Sequence, residues 1–309
     1  MRILLIFVNA LAIIATTLSM AGSVADYGNI AELCASVRLA LIIVLIVAAL
    51  IAGLLRAQRT VISMSALTII CFLSLTQFFP ANKTNSAPAG TPIRILEMNL
   101  WGGRNHSKDA IIKEIKLQDA DLICMSEITD SLLSTLKNAL PNYRYVIAEP
   151  RYGGVALFSR MPLRESSIEH CSNAQRSRIV ALVSKNNVTI KVLCVHPKVP
   201  IKTQELRDKE LAIIASELQH SKEPVILVGD LNLTPFSYHF KKLLEDANLL
   251  DSEKGFGILP TWNAFMPLSL LPIDHCLTSP SFSTTNRKLG NAIGSDHFPL
   301  VVDLVYTGQ

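Results

Sequence analysis

The chain has 309 residues, half of them apolar and only 17% charged, with a formal net charge of +4 at pH 7. A typical soluble domain is about 25% charged, and here the shortfall is concentrated in the first third. Residues 1–90 hold five of the 29 basic and two of the 25 acidic side chains, so the remaining 24 and 23 nearly cancel, which excludes the strongly basic footprint of a duplex-binding domain.

Three apolar windows, 3–20, 39–55 and 61–79, fill that first third, each 17 to 19 residues long. That length is at the lower end of the roughly 17–25 residues needed to cross a bilayer core. Three in succession, with arginines confined to their ends, predict a membrane domain of three transmembrane helices over residues 1–79. Asn9, the one amide in the first window, is expected to hydrogen-bond a neighbouring helix. Arg2 lies at the amino terminus and Arg56 and Arg59 in the turn between the second and third windows, whereas the loop over 21–38 carries Asp26 and Glu32. Positive charge marks the cytoplasmic side. The expected protein is therefore multi-pass in the plasma or inner membrane, with everything after Phe79 on the extracytoplasmic face. A first window cleaved as a signal peptide after Ser23-Val24-Ala25 leads to the same placement.

Residues 80–92, PANKTNSAPAGTP, read as a linker. Short apolar runs and amphipathic stretches then alternate over 93–309. The strand candidates are 93–99, 122–126, 143–147, 155–159, 179–183, 188–195, 225–228 and 300–305; the helix candidates are 108–116, 130–140, 203–219 and 236–247. Several strands follow one another without a helix between, which predicts a mixed domain with a sheet-on-sheet core. Six cysteines are scattered without a CxxC, so zinc ligation is not expected. Cys124 and Cys194 sit in apolar strand-like runs and are expected to serve as core packing.

The informative feature is what stands where strands end. Asn99 closes the first run, Glu127 follows the second, His196 follows the run 192–195, and Asp230 and Asn232 follow the run 225–229. Asp274-His275 precedes Cys276-Leu277, and Asp296-His297 precedes the last strand. Asp and Asn are ordinary turn formers, but Glu127, His196 and His297 are not. Oxygen and imidazole groups gathered this way suit phosphoester hydrolysis. A hard divalent cation takes carboxylate and amide oxygens, a carboxylate activates water, and imidazole meets the phosphate oxygens. A carboxylate bonded to that imidazole fixes its tautomer and raises its pKa.

The ordered series Asn99, Glu127, His196, Gly229-Asp230-Leu231-Asn232, Ile273-Asp274-His275 and Ser295-Asp296-His297 resembles the endonuclease/exonuclease/phosphatase superfamily over about residues 93–306. Gly153-Gly154 before the run 155–159 is similar to that family's glycine-led strand, and Arg207 fits its helix after the His-bearing strand. Three spans before such a domain resemble the membrane-anchored VanJ-like branch, some members of which act on lipid-linked pyrophosphates. The resemblance implies an α+β fold, a four-layer αββα sandwich of two mixed β-sheets flanked by helices. It implies Glu127 as principal metal ligand with Asn99 beside it and Asp296 nearby, the ion being Mg2+ with Mn2+ as the alternative. Asp230 would orient or deprotonate water, Asn232, Asn99 and Arg207 would contact substrate, His196 would donate to a phosphate oxygen, and Asp274 would partner His297 on the phosphate. Trp101 stands where many nuclease members carry an acid, and His196 where abasic-site endonucleases tend to have tyrosine, which weakens the DNA-repair reading. The expectation is a membrane-anchored, Mg2+-dependent phosphoesterase with a lipid-linked phosphate as substrate. The rivals are a nuclease or nucleotide phosphodiesterase, with nucleic acid as the less favoured partner, and a non-catalytic phosphate-binding module.

Overall fold

Alternation of apolar side chains along the strands decides how the layers stack. The computed structural model describes residues 2–79, 88–151, 153–171, 176–199, 203–266 and 270–308. One sheet runs, in spatial order, β11 (Phe282–Leu289), β12 (Leu300–Tyr306), β1 (Thr91–Asn99), β2 (Leu122–Ser126), β4 (Val155–Ser159) and β3 (Tyr145–Glu149). The other runs β5 (Leu163–Cys171), β6 (Arg176–Lys185), β7 (Val188–Cys194), β8 (Val225–Asp230), β10 (Asp274–Thr278) and β9 (Leu250–Asp251). On β1, Ile93 and Ile95 join the core between the sheets, while Leu96 and Met98 point the other way. Successive side chains alternate faces, so each central strand serves two cores at once. The outer face of the first sheet packs on α5 (Lys108–Gln118) and α6 (Asp130–Ala139) through Ile111, Ile115, Leu132 and Leu136. The outer face of the second packs on α7 (Gln204–Leu218) and α8 (Tyr238–Asp246) through Leu211, Ile214, Phe240 and Leu243. The result is the expected four-layer sandwich of two mixed sheets.

Two parallel pairs set the position of the site. β1 pairs in parallel with β2, and β7 with β8; the other strand pairs are antiparallel. Parallel neighbours need a crossover, supplied by α5 and α7, and their carboxyl ends therefore share one edge. Asn99 and Glu127 leave the first pair there, and His196 and Asp230 leave the second. β10 runs antiparallel to β8 with Asp274 directly opposite Asp230, which brings a second buried acid to the same edge. Gly229 fits because a Cβ there would lie 1.9 Å from the Val195 carbonyl oxygen, on a backbone with φ of 147°.

Strands and α-helices not expected from the sequence are β5, β9, β10, β11 and α2 (Asn29–Ser36). β5 and β11 are edge strands, with polar runs Arg164-Glu165-Ser166-Ser167 and Ser283-Thr284-Thr285-Asn286 that give no alternating apolar pattern. The N-terminal segment consists of α1 (Arg2–Ala21), α2, α3 (Arg38–Leu54) and α4 (Gln58–Leu73). Among the described residues α1 is the one unbroken helix long and apolar enough to cross a membrane; α3 is joined to α2 at a 69° bend, and α4 is 16 residues long. The expectation of three spans is therefore met in helix length by α1 alone. Asn9 Nδ2 donates to Thr60 Oγ1 on α4 at 2.9 Å. Arg38 is not at a free edge: it is buried, donates to Ser19, Ser23 and Ser74, and lies 5.3 Å from the centre of the Phe236 ring. The linker expected over 80–92 lies largely outside the described residues, and its last two residues already belong to β1.

Cys124 and Cys194 are buried, as expected of core positions, but they are bonded to each other, with Cα atoms 5.7 Å apart. The inward faces of β2 and β7 bring them together across the inter-sheet core, a proximity between residues 70 apart in sequence that spacing alone does not reveal.

Candidate active site

At the shared strand edge Asp230 is the hub. Only 2% exposed, it accepts from the Asn232 backbone N–H at Oδ1 (2.9 Å) and from Asn99 Nδ2 at Oδ2 (3.0 Å). The same Oδ2 lies 3.7 Å from His196 Nε2 and 3.8 Å from His297 Nε2. His196 Nε2 is also 3.9 Å from Glu127 Oε1. Two imidazole edges and two carboxylates thus face one small volume, with Glu127 the solvent-open member at 37% side-chain exposure.

Each group is aimed by local backbone chemistry. Glu127 and Asn232 both have left-handed backbones, with φ of 55° and 52°. Asparagine tolerates that region readily; for glutamate it is uncommon and marks a conformation imposed by the surroundings. His196 places Nδ1 3.1 Å from the Gly153 carbonyl, which fixes Nδ1–H as donor and turns Nε2 toward the carboxylates. His297 Nδ1 lies 2.8 Å from Asp274 Oδ2. Asp274 is fully buried, and the Thr261 hydroxyl accepts from its backbone N–H. Ser295 donates to the Asn99 carbonyl and accepts from the His297 N–H, so the first and last site strands are tied together.

Burial and charge divide the two imidazoles. Burial alone pushes His297 down, but the charge and hydrogen bond of Asp274, with Asp230 and Asp296 adding, raise it to about 9. Burial likewise pushes Asp274 up, and His297 more than reverses this, leaving the carboxyl below its usual value. His196 is held below its usual value by burial, with Asp230 opposing. Asp230 is raised by burial and by the charge of Asp274. At neutral pH the edge therefore presents an imidazolium at 297 and a neutral ring at 196. An ordinary unfolded histidine titrates near 6.5. The stabilisation from the 274–297 pair is accordingly complete below pH of about 6.5 and is lost as pH rises through about 9. Asp274→Asn should move any alkaline limb of the rate profile that belongs to His297 to lower pH by about one unit or more. A pH–rate profile of both proteins checks this, and an unmoved limb would remove His297 from the reaction.

The other expected residues divide. Asp296 Oδ2 accepts from Trp262 Nε1 at 3.0 Å, and its Oδ1 is buried without a hydrogen-bond partner among the described residues. Asn99 Oδ1 accepts the Trp101 N–H, and Asn232 Nδ2 donates to the Pro197 carbonyl at 3.1 Å. Arg207 is a correction. It is fully buried in the first turn of α7 and donates to Glu32 (2.8 Å) and Asp208 (2.7 Å), not toward the acid–imidazole cluster. Its position in the chain suited a substrate contact; its helix face turns it to the N-terminal segment. Two groups escaped the sequence reading. Arg176 Nη1 approaches His196 Nδ1 at 3.5 Å. Glu97 is fully buried, and burial, the charges of Asp274 and Asp230 and a hydrogen bond with Asp274 raise it well above its usual value. The available signal was Glu97 itself, an acid two residues from Ile95 on an otherwise apolar strand face.

A divalent cation fits the oxygen donors better than the imidazoles. Asp230, Asp274 and His297 offer atoms within 4.8 Å of one another, but 274 and 297 already hydrogen-bond each other. Asp296 Oδ1 has no partner among the described residues, Glu127 is open, and Asn99 Oδ1 retains a lone pair; oxygen donors of this kind suit a hard ion. Two clefts of about 390 and 510 Å3 lie elsewhere and include none of these residues.

Residues 96–297 match the Endonuclease/Exonuclease/phosphatase family. Among solved structures the chain is similar to an endonuclease/exonuclease/phosphatase from Beutenbergia cavernae, with 19% identity and a TM-score of 0.61, covering 71% of this chain and 72% of that one. A Bacteroides vulgatus member gives 18%, 0.60, 70% and 99%. The human Nocturnin catalytic domain with bound sulfate gives 20%, 0.58, 70% and 94%. No curated protein matches the chain.

Proposed function

The chain belongs to the endonuclease/exonuclease/phosphatase family of phosphoester hydrolases, and from that premise we propose a membrane-anchored, extracytoplasmic, Mg2+-dependent phosphoesterase. Its substrate, on this reading, is a lipid-linked phosphodiester, phosphomonoester or pyrophosphate. The observation that carries the chemistry is the meeting of Asp230, His196 and the Asp274–His297 pair at one strand edge. Glu127, Asn99 and Asp296 would hold the cation, whose contribution is to polarise the phosphoryl oxygen and neutralise developing charge.

The side chains account for the rest of the step. Asp230 Oδ2 orients the attacking water and takes its proton as the new P–O bond forms. Its upward pKa shift makes it a stronger base than a free carboxylate. The His297 imidazolium, held by Asp274, donates to a non-bridging phosphate oxygen, and His196 donates to another once the incoming anion favours its charged form. The bond to the leaving oxygen breaks as the new one forms, its electron pair stays on that oxygen, and the departing oxyanion takes its proton from solvent. Asn232 keeps the turn after β8 in register through Pro197, next to where the phosphate arrives.

Three features favour the membrane and the outer face. α1 is long and apolar enough to span, the basic residues of the first ninety fall at the ends of its apolar windows, and a disulfide suits an oxidising compartment. A tethered enzyme meets a bilayer-borne substrate at high effective concentration. The deciding experiment incubates the purified full chain with a polyprenyl pyrophosphate, sphingomyelin, phosphatidyl lipids, single-stranded and duplex DNA, and mononucleotides, each with Mg2+ and with EDTA. EDTA-sensitive hydrolysis concentrated on the lipid substrates is expected. Preference for DNA or nucleotides would favour the nuclease reading, and no hydrolysis at all would favour a binding module.

A further inference from the structure

We propose that Glu32, on the short helix between α1 and α3, is a positioning residue for the phosphate site, clasping from behind the loop that carries Asp230 and Asn232. This rests on the phosphoesterase reading of the site. Glu32 is nearly buried, and its carboxylate accepts from three places in the catalytic domain. Arg207 Nη2 donates at 2.8 and 2.9 Å, Gln204 Nε2 at 3.2 Å and Ser237 Oγ at 3.1 Å.

Those partners are not scattered. Ser237 caps the amino end of α8, where its hydroxyl accepts from the His239 N–H, and closes the turn that begins at Asp230. Gln204 and Arg207 form the first turn of α7, which follows the His196 strand. At the site end these two connections touch again, through Asn232 Nδ2 and the Pro197 carbonyl. The turn 231–237 is thus held at the substrate side by Pro197 and at the far side by Glu32.

Other contacts press the end of this turn and the start of α8 onto the N-terminal segment. Phe236 meets Phe78 edge-on at 5.8 Å and lies under Arg38. It shares an apolar cluster with Ala35 and Leu75. Tyr238 N–H donates to the Gly22 carbonyl at 3.0 Å, and Lys241 Nζ to the Ser23 carbonyl at 2.7 Å. Leu231 and Leu233 are held within the catalytic domain, by the Ile273 carbonyl, His275 Nε2 and the apolar cluster under α7 and α8, whereas Phe236 and Ser237 are held by the N-terminal segment. A loop owes its rigidity to such contacts, and small displacements of catalytic groups are costly: about 1 Å of misplacement can lower a rate by roughly 100-fold. The positive φ of Asn232 is the conformation at stake.

The test uses the full chain in detergent, comparing wild type with Glu32→Ala and with Glu32→Gln, which keeps an acceptor for Ser237. With bis-p-nitrophenyl phosphate and Mg2+, Glu32→Ala should lower kcat by roughly 10- to 100-fold while KM stays within about twofold. Glu32→Gln should fall between. In the same proteins, amide hydrogen exchange over 231–237 should quicken by about tenfold or more in Glu32→Ala, with α5 and α6 unchanged. An unchanged kcat, or exchange that quickens evenly over the whole domain, would overturn the clasp. If wild type hydrolyses nothing, the phosphoesterase reading fails, and localised exchange alone still decides whether Glu32 orders this turn.

Discussion

Asp230→Asn is expected to lower kcat by about 10²- to 10⁴-fold, the range general-base catalysis supplies, while the protein stays folded. The substitution preserves shape and keeps an oxygen for the Asn232 N–H that now binds Oδ1. It removes the proton acceptor at Oδ2, the atom 3.7 and 3.8 Å from the two imidazoles. Two stability effects oppose each other. The new amide nitrogen would face Asn99 Nδ2, leaving a donor without its acceptor at a cost of about 1–3 kcal/mol. Against this, the buried repulsion between Asp230 and Asp274 disappears. The thermal midpoint should consequently move little while the rate collapses, the signature of a group retained for chemistry at no gain in stability. Measuring kcat and midpoint on one preparation separates the two effects. A variant that retains full activity would remove Asp230 from the base role, and one that unfolds would make it structural. Glu127→Ala provides the independent check at the metal position: hydrolysis and its response to added Mg2+ should vanish together. Glu127 is partly open to solvent, so its removal leaves no buried cavity.

The layers and the site edge were legible because buried parallel strands announce themselves as apolar runs. The runs ending at Asn99, Ser126 and Asp230 needed no tertiary information to be found, and the polar residues after them stood out against it. What was not legible depended on distant partners. Arg207 looked the same in sequence whether it faced substrate or Glu32, 175 residues earlier; only the docking of α2 on α7 decides. α2 itself lies in a stretch whose polar and apolar residues read as a loop, and it becomes ordered by packing on the catalytic domain. Glu97 was hidden for the opposite reason. An acid near the end of a strand reads as a solvated rim, whereas the second sheet covers it here. Cys124 and Cys194 were rightly placed in the core, but pairing them needs the two sheets to be face to face first.

That bond leads to the second large effect. Joining residues 70 positions apart, it should stabilise the fold by about 4 kcal/mol in the chain-entropy account, since the unfolded chain loses the freedom of a long loop. For a domain of this size 1 kcal/mol moves Tm by about 2–4 °C, so its loss should lower Tm by roughly 8–16 °C. The bond also has a place in the site. Cys124 is three residues before Glu127 and Cys194 two before His196, so it joins the two sheets directly beneath groups 3.9 Å apart. Both sulfurs are fully buried, and a reductant reaches them only when the sheets separate. Dithiothreitol should therefore act slowly on the native protein and quickly in partial denaturant, after which the urea midpoint should fall. The double variant Cys124→Ala, Cys194→Ala should show the lowered Tm without reductant, together with a lower kcat. An identical midpoint with and without reductant, and full-length protein in which all six cysteines react after denaturation in the absence of reductant, would show Cys124 and Cys194 unpaired. The argument for an oxidising compartment would then lose its strongest support, leaving the side of the membrane to rest on the arginines alone.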